Sequence, residues 1–380
     1  MAGIYIHIPF CKKACHYCNF HFSTQTNNID SFVDALVKEI KLRKDYISQP
    51  IQTIYFGGGT PSLLTKSQLS LILNALKSHF TFQESIELTL EANPDDIDEV
   101  KLLYWKNMGI NRLSIGIQSF QEDALKWMNR AHTIEQSHRS IQLAQNHGFN
   151  NINIDLIYGT PHYTNEQLIS DLEFIKEYKI PHVSCYALTI EEKTALHSMI
   201  QKGTIKNIAN EDQAAHFEIV VDFLTKNGFE HYEISNFAQP GFRSQHNSSY
   251  WKGLPYLGLG PSSHSYNGDS RQWNIANNAL YIKTLQKNEL NFEKEILELP
   301  TQYNEYMMIS IRCLEGFNLQ TIETKFGKAY LEHTIEILKE LSNKDYFEII
   351  EQNYSLKKSA KFFADGIASD FFKVGSSPTL

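Results

Sequence analysis

The chain opens on an alternation: residues 3–10 read Gly-Ile-Tyr-Ile-His-Ile-Pro-Phe, apolar and polar or aromatic by turns. That period of two predicts a strand. Similar β-branched and aromatic runs return at 53–56, 86–91, 112–118, 151–158 and 182–188, each a strand on the same reasoning. Between them, residues 29–46, 66–80, 97–108, 133–146 and 165–178 place apolar positions at helical spacing. Such alternation of strand and helix argues for parallel βαβ units. A partial or full barrel fits it, and a doubly wound open sheet carries the same pattern. After about residue 228 the pattern changes. Residues 229–260 are aromatic and irregular, with Pro240-Gly241, His246-Asn247 and Tyr250-Trp251. Helical spacing resumes at 304–314, 318–325 and 330–344, followed by two short strands at 344–350 and 352–356 and a frayed tail at 375–380. The expected organisation is a core at 1–235, an aromatic-rich extension at 236–295 and a small α+β domain at 296–375.

Polar residues gather where the strands end. The runs close on a cysteine group after Phe10, on Gly57-Gly58-Gly59-Thr60-Pro61, on Glu91-Ala92-Asn93-Pro94, on Gln118-Ser119, and on Asp155 through Gly159-Thr160-Pro161. Parallel barrels and sheets build their sites at the carboxyl ends of strands. One face is therefore expected to collect the cysteines, the triglycine loop, Glu91, Gln118 and Asp155. The triglycine is not followed by Lys-Ser/Thr, which argues against a phosphate loop.

Composition narrows the partners. With 42% apolar and 21% charged residues, the 380-residue chain is globular, and its net charge of −8 gives no global basic field for nucleic acid or anionic lipid. No apolar run approaches the roughly 18–20 residues of a membrane helix, although a peripheral membrane contact is compatible with the sequence. The start, MAGIYIHIPFC, lacks a basic n-region, a long apolar stretch and a cleavage site, so a cytoplasmic location is expected.

Three of the five cysteines, Cys11, Cys15 and Cys18, fall within eight residues. In a reducing compartment such a group points to metal or redox chemistry, while Cys185 and Cys313 are expected to be packed thiols. Zinc would want a fourth ligand, for which His16 or His21 is at hand. Structural zinc more often joins ligand pairs from separate hairpins, whereas here all three thiols follow one strand. On a four-iron cube three cysteines leave one iron open to a substrate or cofactor. The group alone favours iron–sulfur and leaves zinc open.

The spacing Cys-x3-Cys-x2-Cys after a strand resembles the radical S-adenosylmethionine (radical SAM) superfamily. Tyr5-Ile6-His7-Ile8-Pro9-Phe10-Cys11, with Cys15, Tyr17 and Cys18, is similar to the anaerobic coproporphyrinogen III oxidase group. Agreement continues through Gly57–Pro61, Glu91–Pro94, Gly116-Ile117-Gln118-Ser119-Phe120 and Asp155–Pro161, covering most of 3–266. The resemblance implies a partial (β/α)6 barrel of the radical SAM type. It implies a [4Fe-4S] cluster on Cys11, Cys15 and Cys18, with SAM chelating the open iron and yielding a 5′-deoxyadenosyl radical on reduction. It also implies that Tyr5, Gly58, Gly59, Thr60, Glu91, Gln118, Arg130 and Asp155 contact SAM. Glycines would let backbone approach the methionine portion, carboxylates would accept from ribose or amino groups, and Arg130 would pair with the carboxylate.

Two departures separate the chain from the oxidase. Phe20 stands where the oxidase carries a fourth cysteine, and only a short segment precedes Cys11. Both features, and His246-Asn247-Ser248-Ser249-Tyr250-Trp251 as a His-Asn-x-x-Tyr-Trp motif, resemble the HemW family of heme chaperones. That resemblance implies heme as a bound group, a heme-acceptor protein as partner and an electron donor such as a flavodoxin or reductase. His246 becomes the candidate heme ligand, beside the aromatic Tyr250, Trp251, Tyr256 and Tyr266, with His264, His231, Tyr232 and Glu233 nearby. The other reading is a radical enzyme that converts porphyrinogen propionates to vinyl groups.

Overall fold

A computed structural model describes residues 1–161, 163–205 and 210–373. The expected tail at 375–380 lies outside them. The chain divides into two compact units, one built from Met1–Phe229 with Ala238–Glu295 and the other from Glu230–Phe237 with the residues from Ile296 onward.

In the larger unit the six strand expectations become β1 (Ala2–Ile8), β2 (Ile51–Gly58), β3 (Phe82–Ala92), β4 (Arg112–Gln118), β5 (Ile152–Tyr158) and β6 (His182–Ala187). They pair in sequence order and all parallel. Helices α1 (Ile29–Leu42), α2 (Lys66–His79), α3 (Glu99–Asn107), α4 (Glu122–Trp127), α5 (Ile134–Asn146) and α6 (Asn165–Glu177) form the crossovers, α4 and α5 sharing the one between β4 and β5. The six strands form a partial barrel. Its strands bury both faces for different reasons. One set of alternate residues, including Ile4, Ile6, Ile54, Leu90, Ile115 and Ile154, is fully buried and apolar. The other set, including Tyr5, His7, Thr53, Tyr55, Glu91, Ser114, Asn153, Asp155 and His182, lines a polar lumen. A strand with one face on helices and the other in a barrel interior needs that alternation.

Local chemistry sets the helix boundaries. Thr65, Thr133 and Thr164 cap α2, α5 and α6 with a glutamine three residues on completing a capping box each time, worth about 1 kcal/mol per helix. The helix expected from 97 starts at Glu99 because the Asp98 carboxylate accepts the Lys101 backbone N–H at 2.7 Å. The helix expected to 46 stops at Leu42. Arg43 there turns inward to donate to Gln272 at 3.0 Å and Asn274 at 2.8 Å, and pairs with Glu39 at 3.1 Å.

Residues 229–260 contain more order than their composition suggests. A short helix, Gln245–Trp251, packs on the inner face near the amino ends of β1 and β2, and the strand Tyr256–Leu259 pairs parallel with β1. Helices Ala195–Gln201 and Asn210–Lys226 were not expected; their apolar period is interrupted by polar residues.

The smaller unit packs helices Leu299–Arg312, Leu319–Phe326, Lys328–Glu340 and Ala364–Asp370 with an antiparallel sheet whose middle strand is Asn353–Leu356. Tyr303, Met307, Phe317, Ile322 and Phe371 form its core. Of the two isolated cysteines, Cys185 is buried as expected, but Cys313 is only partly buried. No helix among the described residues is long and apolar enough to cross a membrane.

Candidate functional site

Pro9 ends β1, and the chain enters the cysteine loop under backbone control. Cys11 N–H donates to Ser23 O at 3.0 Å, Ser23 N–H returns to Pro9 O at 2.9 Å, and Cys18 N–H donates to Cys15 O. The turn after α4 holds the loop from the other side. His16 N–H donates to Met128 O, its Nδ1 donates to Trp127 O at 2.7 Å, and Asn129 Nδ2 donates to Ala14 O at 2.8 Å. All three thiols are partly buried. Burial pushes the Cys11 thiol up to about 11 and raises that of Cys18. Thiols held this way in the polypeptide alone suit a cation able to stabilise thiolate.

Arg130 ties the loop to the strand ends. Its Nη1 donates to Cys15 Sγ at 3.3 Å, while Nη2 donates to Asn93 Oδ1 and Gly116 O, both at 2.8 Å. Nε has no partner. Asn93 in turn donates to the Thr60 hydroxyl, which reaches the Cys11 thiol. The last residue of β4, Gln118, adopts a left-handed φ of 68°. A Cβ on Gly116 would lie 3.0 Å from the Gln118 amide and 3.2 Å from Arg130, so only glycine leaves both side chains in place.

The triglycine loop is a cradle of the same kind. Gly58 has φ of 104° and its absent Cβ would fall 2.5 Å from the His7 ring; that of Gly59 would fall 2.7 Å from Ile8 O and Phe10 O. The backbone is thus free to approach a ligand at a place no side chain could enter. Beside it, Glu91 accepts from Tyr55 OH at 2.8 Å and from Gly58 N–H at 3.2 Å. Asp155 accepts from Asn153 at 2.8 Å and Ser114 at 3.3 Å. Even so, burial and then the charge of Asp155 push Glu91 up to about 7, and burial raises Asp155 as well. Two acids crowded into a low-dielectric lumen are incomplete without a cation or further donors. An ammonium group and ribose hydroxyls would supply both. Tyr5 completes the wall: His7 Nε2 donates to His21 O at 2.8 Å, which leaves Nδ1 to accept from Tyr5 OH at 3.1 Å.

Cys11, Cys15 and Cys18 and every residue expected to touch SAM therefore fall on one connected strand-end network or its direct neighbours. Glu91 caps no helix, since the turn Pro94–Asp96 after β3 has Asn93 at its cap position, and Arg130 is turned inward on Asn93 and Gly116 and not to solvent. His246 lies elsewhere, on the helix Gln245–Trp251 near the amino ends of the strands. Its Nδ1 pairs with Thr53 Oγ1 and its Nε2 with Tyr250 OH, both at 2.8 Å, and its ring stacks on Tyr55. Burial, then the field of Arg112, lowers it to about 3. It is 2% exposed and offers no free nitrogen.

Tyr55, Ser114, Asn153 and Arg112 were not singled out from the sequence. Their signal was parity: each occupies an inward position of a strand whose alternate residues are apolar. Arg112 is the sharpest case, a buried cation at the start of β4 whose Nε and Nη2 have no partner.

The radical SAM superfamily model matches residues 5–175. The heme chaperone HemW of Lactococcus lactis subsp. lactis is 33% identical over 96% of this chain and 97% of its own. That of Bacillus subtilis is 32% identical over 98% and 99%. The chain belongs to the HemW family. Its Escherichia coli member is 34% identical over 69% of each chain. The solved structure of coproporphyrinogen III oxidase from Escherichia coli superposes with a TM-score of 0.84 over 97% of this chain and 89% of that one, at 23% identity. That likeness speaks for the fold alone. Membership of the radical SAM group implies a [4Fe-4S] cluster and SAM as the cofactors of the HemW family.

Proposed function

We propose that the chain is a heme chaperone that binds heme and passes it to acceptor proteins while carrying a [4Fe-4S] cluster and an exchangeable SAM. The observation that carries this reading is the near full-length relation to proteins named as heme chaperones. In it, Cys11, Cys15 and Cys18 are the thiolate ligands. Glu91 and Asp155 orient the amino and ribose groups of SAM, Gly58 and Gly59 admit its methionine portion, Tyr5 and Gln118 wall it, and Thr60 positions Cys11. Arg130 holds Cys15 and faces the carboxylate. When bound, the reduced cluster supplies an electron for reductive cleavage of the SAM sulfonium. The protein's own part is to exclude water, fix the ligand and keep one iron uncapped by side chains. We assign cofactor binding to 1–235, macrocycle binding to 236–295 and an accessory role to 296–375. The protein would act in the cytoplasm, with a flavodoxin or reductase as electron donor.

One observation favours a second reading. The whole strand-end network is intact, which suits an oxygen-independent coproporphyrinogen III oxidase equally well. Phe20 weighs against it: its side chain is 65% exposed where the oxidase group carries its fourth cysteine. The two separate on one anaerobic, reconstituted preparation. The chaperone reading expects saturable hemin binding at about one equivalent per chain and no vinyl product from coproporphyrinogen with SAM and reductant. Non-saturating hemin uptake sinks it, and vinyl product would establish the oxidase.

A further inference from the structure

The sheet continues past β1, away from β2. The strand Tyr256–Leu259 pairs with β1 so that Gly3 faces Tyr256 and Tyr5 faces Gly258. Antiparallel strands His264–Tyr266 and Ser270–Asn274 follow, pairing Tyr266 with Tyr256 and Arg271, and His264 with Trp273. Alternation then puts Tyr256, His264, Tyr266, Arg271 and Trp273 on the face that Tyr5 turns to the lumen. The opposite face is spoken for, since Gln272 and Asn274 accept from buried Arg43.

Rings run along this face without a break. His246 meets Tyr250 at a centroid distance of 4.9 Å, Tyr250 meets Tyr256 at 4.5 Å, and Tyr256 meets Tyr266 at 6.2 Å. On the neighbouring cross-strand pair, His264 stacks on Trp273 at 6.0 Å with planes 26° apart.

The histidines differ in what occupies their nitrogens. Among the described residues, His79, His216 and His264 alone have neither ring nitrogen in a hydrogen bond. His216 is buried at 3% exposure, and His79 has no aromatic neighbour. His264 is exposed, lies against a tryptophan and has an arginine close by. Burial and then Arg271 hold its imidazole below the usual range, which favours the neutral form that ligates metals.

An iron porphyrin asks for three things: a nitrogen for the iron, an aromatic wall for the macrocycle and cations for its carboxylates. We propose that heme sits on this sheet face, with His264 as the axial ligand, Trp273 and Tyr266 as the ring wall and Arg271 as partner of a propionate. This rests on the reading of the chain as a heme carrier. Binding forms an iron–nitrogen bond and displaces a water from ferric iron; nothing is oxidised or reduced.

Hemin titration of the full chain and of three variants tests it, read by absorbance in the Soret region. Wild type saturates with the band of a histidine-ligated heme. His264→Ala binds at least about tenfold more weakly with a displaced band, and added imidazole restores the wild-type band. Arg271→Ala weakens binding a few-fold and leaves the band in place. His79→Ala matches wild type. Wild-type affinity and band in His264→Ala would overturn the assignment while leaving heme carriage standing, as would an equal loss in His79→Ala. Absence of saturable binding to wild type would remove the carrier reading itself, and this site with it.

Discussion

The two ends of the barrel lumen are built from the same residue types and solved differently. Near the amino ends of the strands, Glu87 accepts the backbone N–H groups of Gln245 and His246, both at 3.0 Å, and His246 bonds Thr53 and Tyr250. Each of these partners is supplied by the chain, and Arg112 is the exception. At the carboxyl ends, the Cys11 and Cys18 thiols and the Glu91 and Asp155 carboxyls are held above their ordinary ranges, Arg130 Nε is unpartnered, and glycines keep space open. A satisfied polar network rigidifies a fold, whereas an incomplete one marks where a ligand finishes the structure. The HemW-type motif residue His246 belongs to the first kind and the cysteine loop to the second.

The largest effect should come from the open end. Cys15→Ser removes one thiolate and the acceptor of Arg130, and iron and sulfide in anaerobically reconstituted protein should fall to a small fraction of wild type. Retention of full iron content would show that this cysteine is not a ligand. Gly58→Ala comes next. Its backbone is left-handed and the new methyl meets the His7 ring, so a loss of about 2–4 kcal/mol by denaturant titration and much weaker SAM binding are expected.

His246→Ala tests the closed end. Deleting a buried ring with two hydrogen bonds should cost about 2–4 kcal/mol, with iron content and the Soret band of bound hemin unchanged. A lost band with intact stability would make His246 a ligand after all. The pH dependence has a defined sign. His246 is neutral when folded and lowered to about 3. Its contribution is therefore present above the unfolded value of about 6.5 and lost as pH falls toward 3.

Glu91→Gln works in the opposite sense and is smaller. Glu91 is raised to about 7 when folded. Its contribution is complete below about pH 4.5 and lost as pH rises through 7, a cost of about 3 kcal/mol above that. The amide removes that cost but cannot accept from Gly58. SAM-free Glu91→Gln should therefore be about 2 kcal/mol more stable than wild type at pH 8, equal or weaker at pH 4.5, and poorer in SAM binding. Smallest of all, Phe20→Cys changes an exposed side chain. Stability should stay within about 0.5 kcal/mol and iron content should not change.

Much of the open end was legible in the sequence because strand ends carry their chemistry in short runs: Cys11 to Cys18, Gly57 to Pro61, Glu91 to Pro94. Alternation, which β1 shows most clearly, pointed to parallel βαβ units and left barrel and open sheet alike; the resemblance narrowed them to a partial barrel. What stayed hidden depends on pairing across distance. Thr53 and His246 are 193 positions apart, and Tyr55 and Glu91 are 36 apart. Nothing local says that 256–259 adds to β1, so the sequence offered His246 as a candidate heme ligand, whereas the structure packs its ring against Tyr55. The face carrying His264 emerges only once strand registers are known.

Electron paramagnetic resonance of the reduced, anaerobically reconstituted protein, recorded with and without SAM, tests the open coordination position most directly. A [4Fe-4S]+ spectrum whose g values shift on adding SAM is the expected result. A spectrum indifferent to SAM, or a preparation holding zinc in place of iron and sulfide, would contradict it.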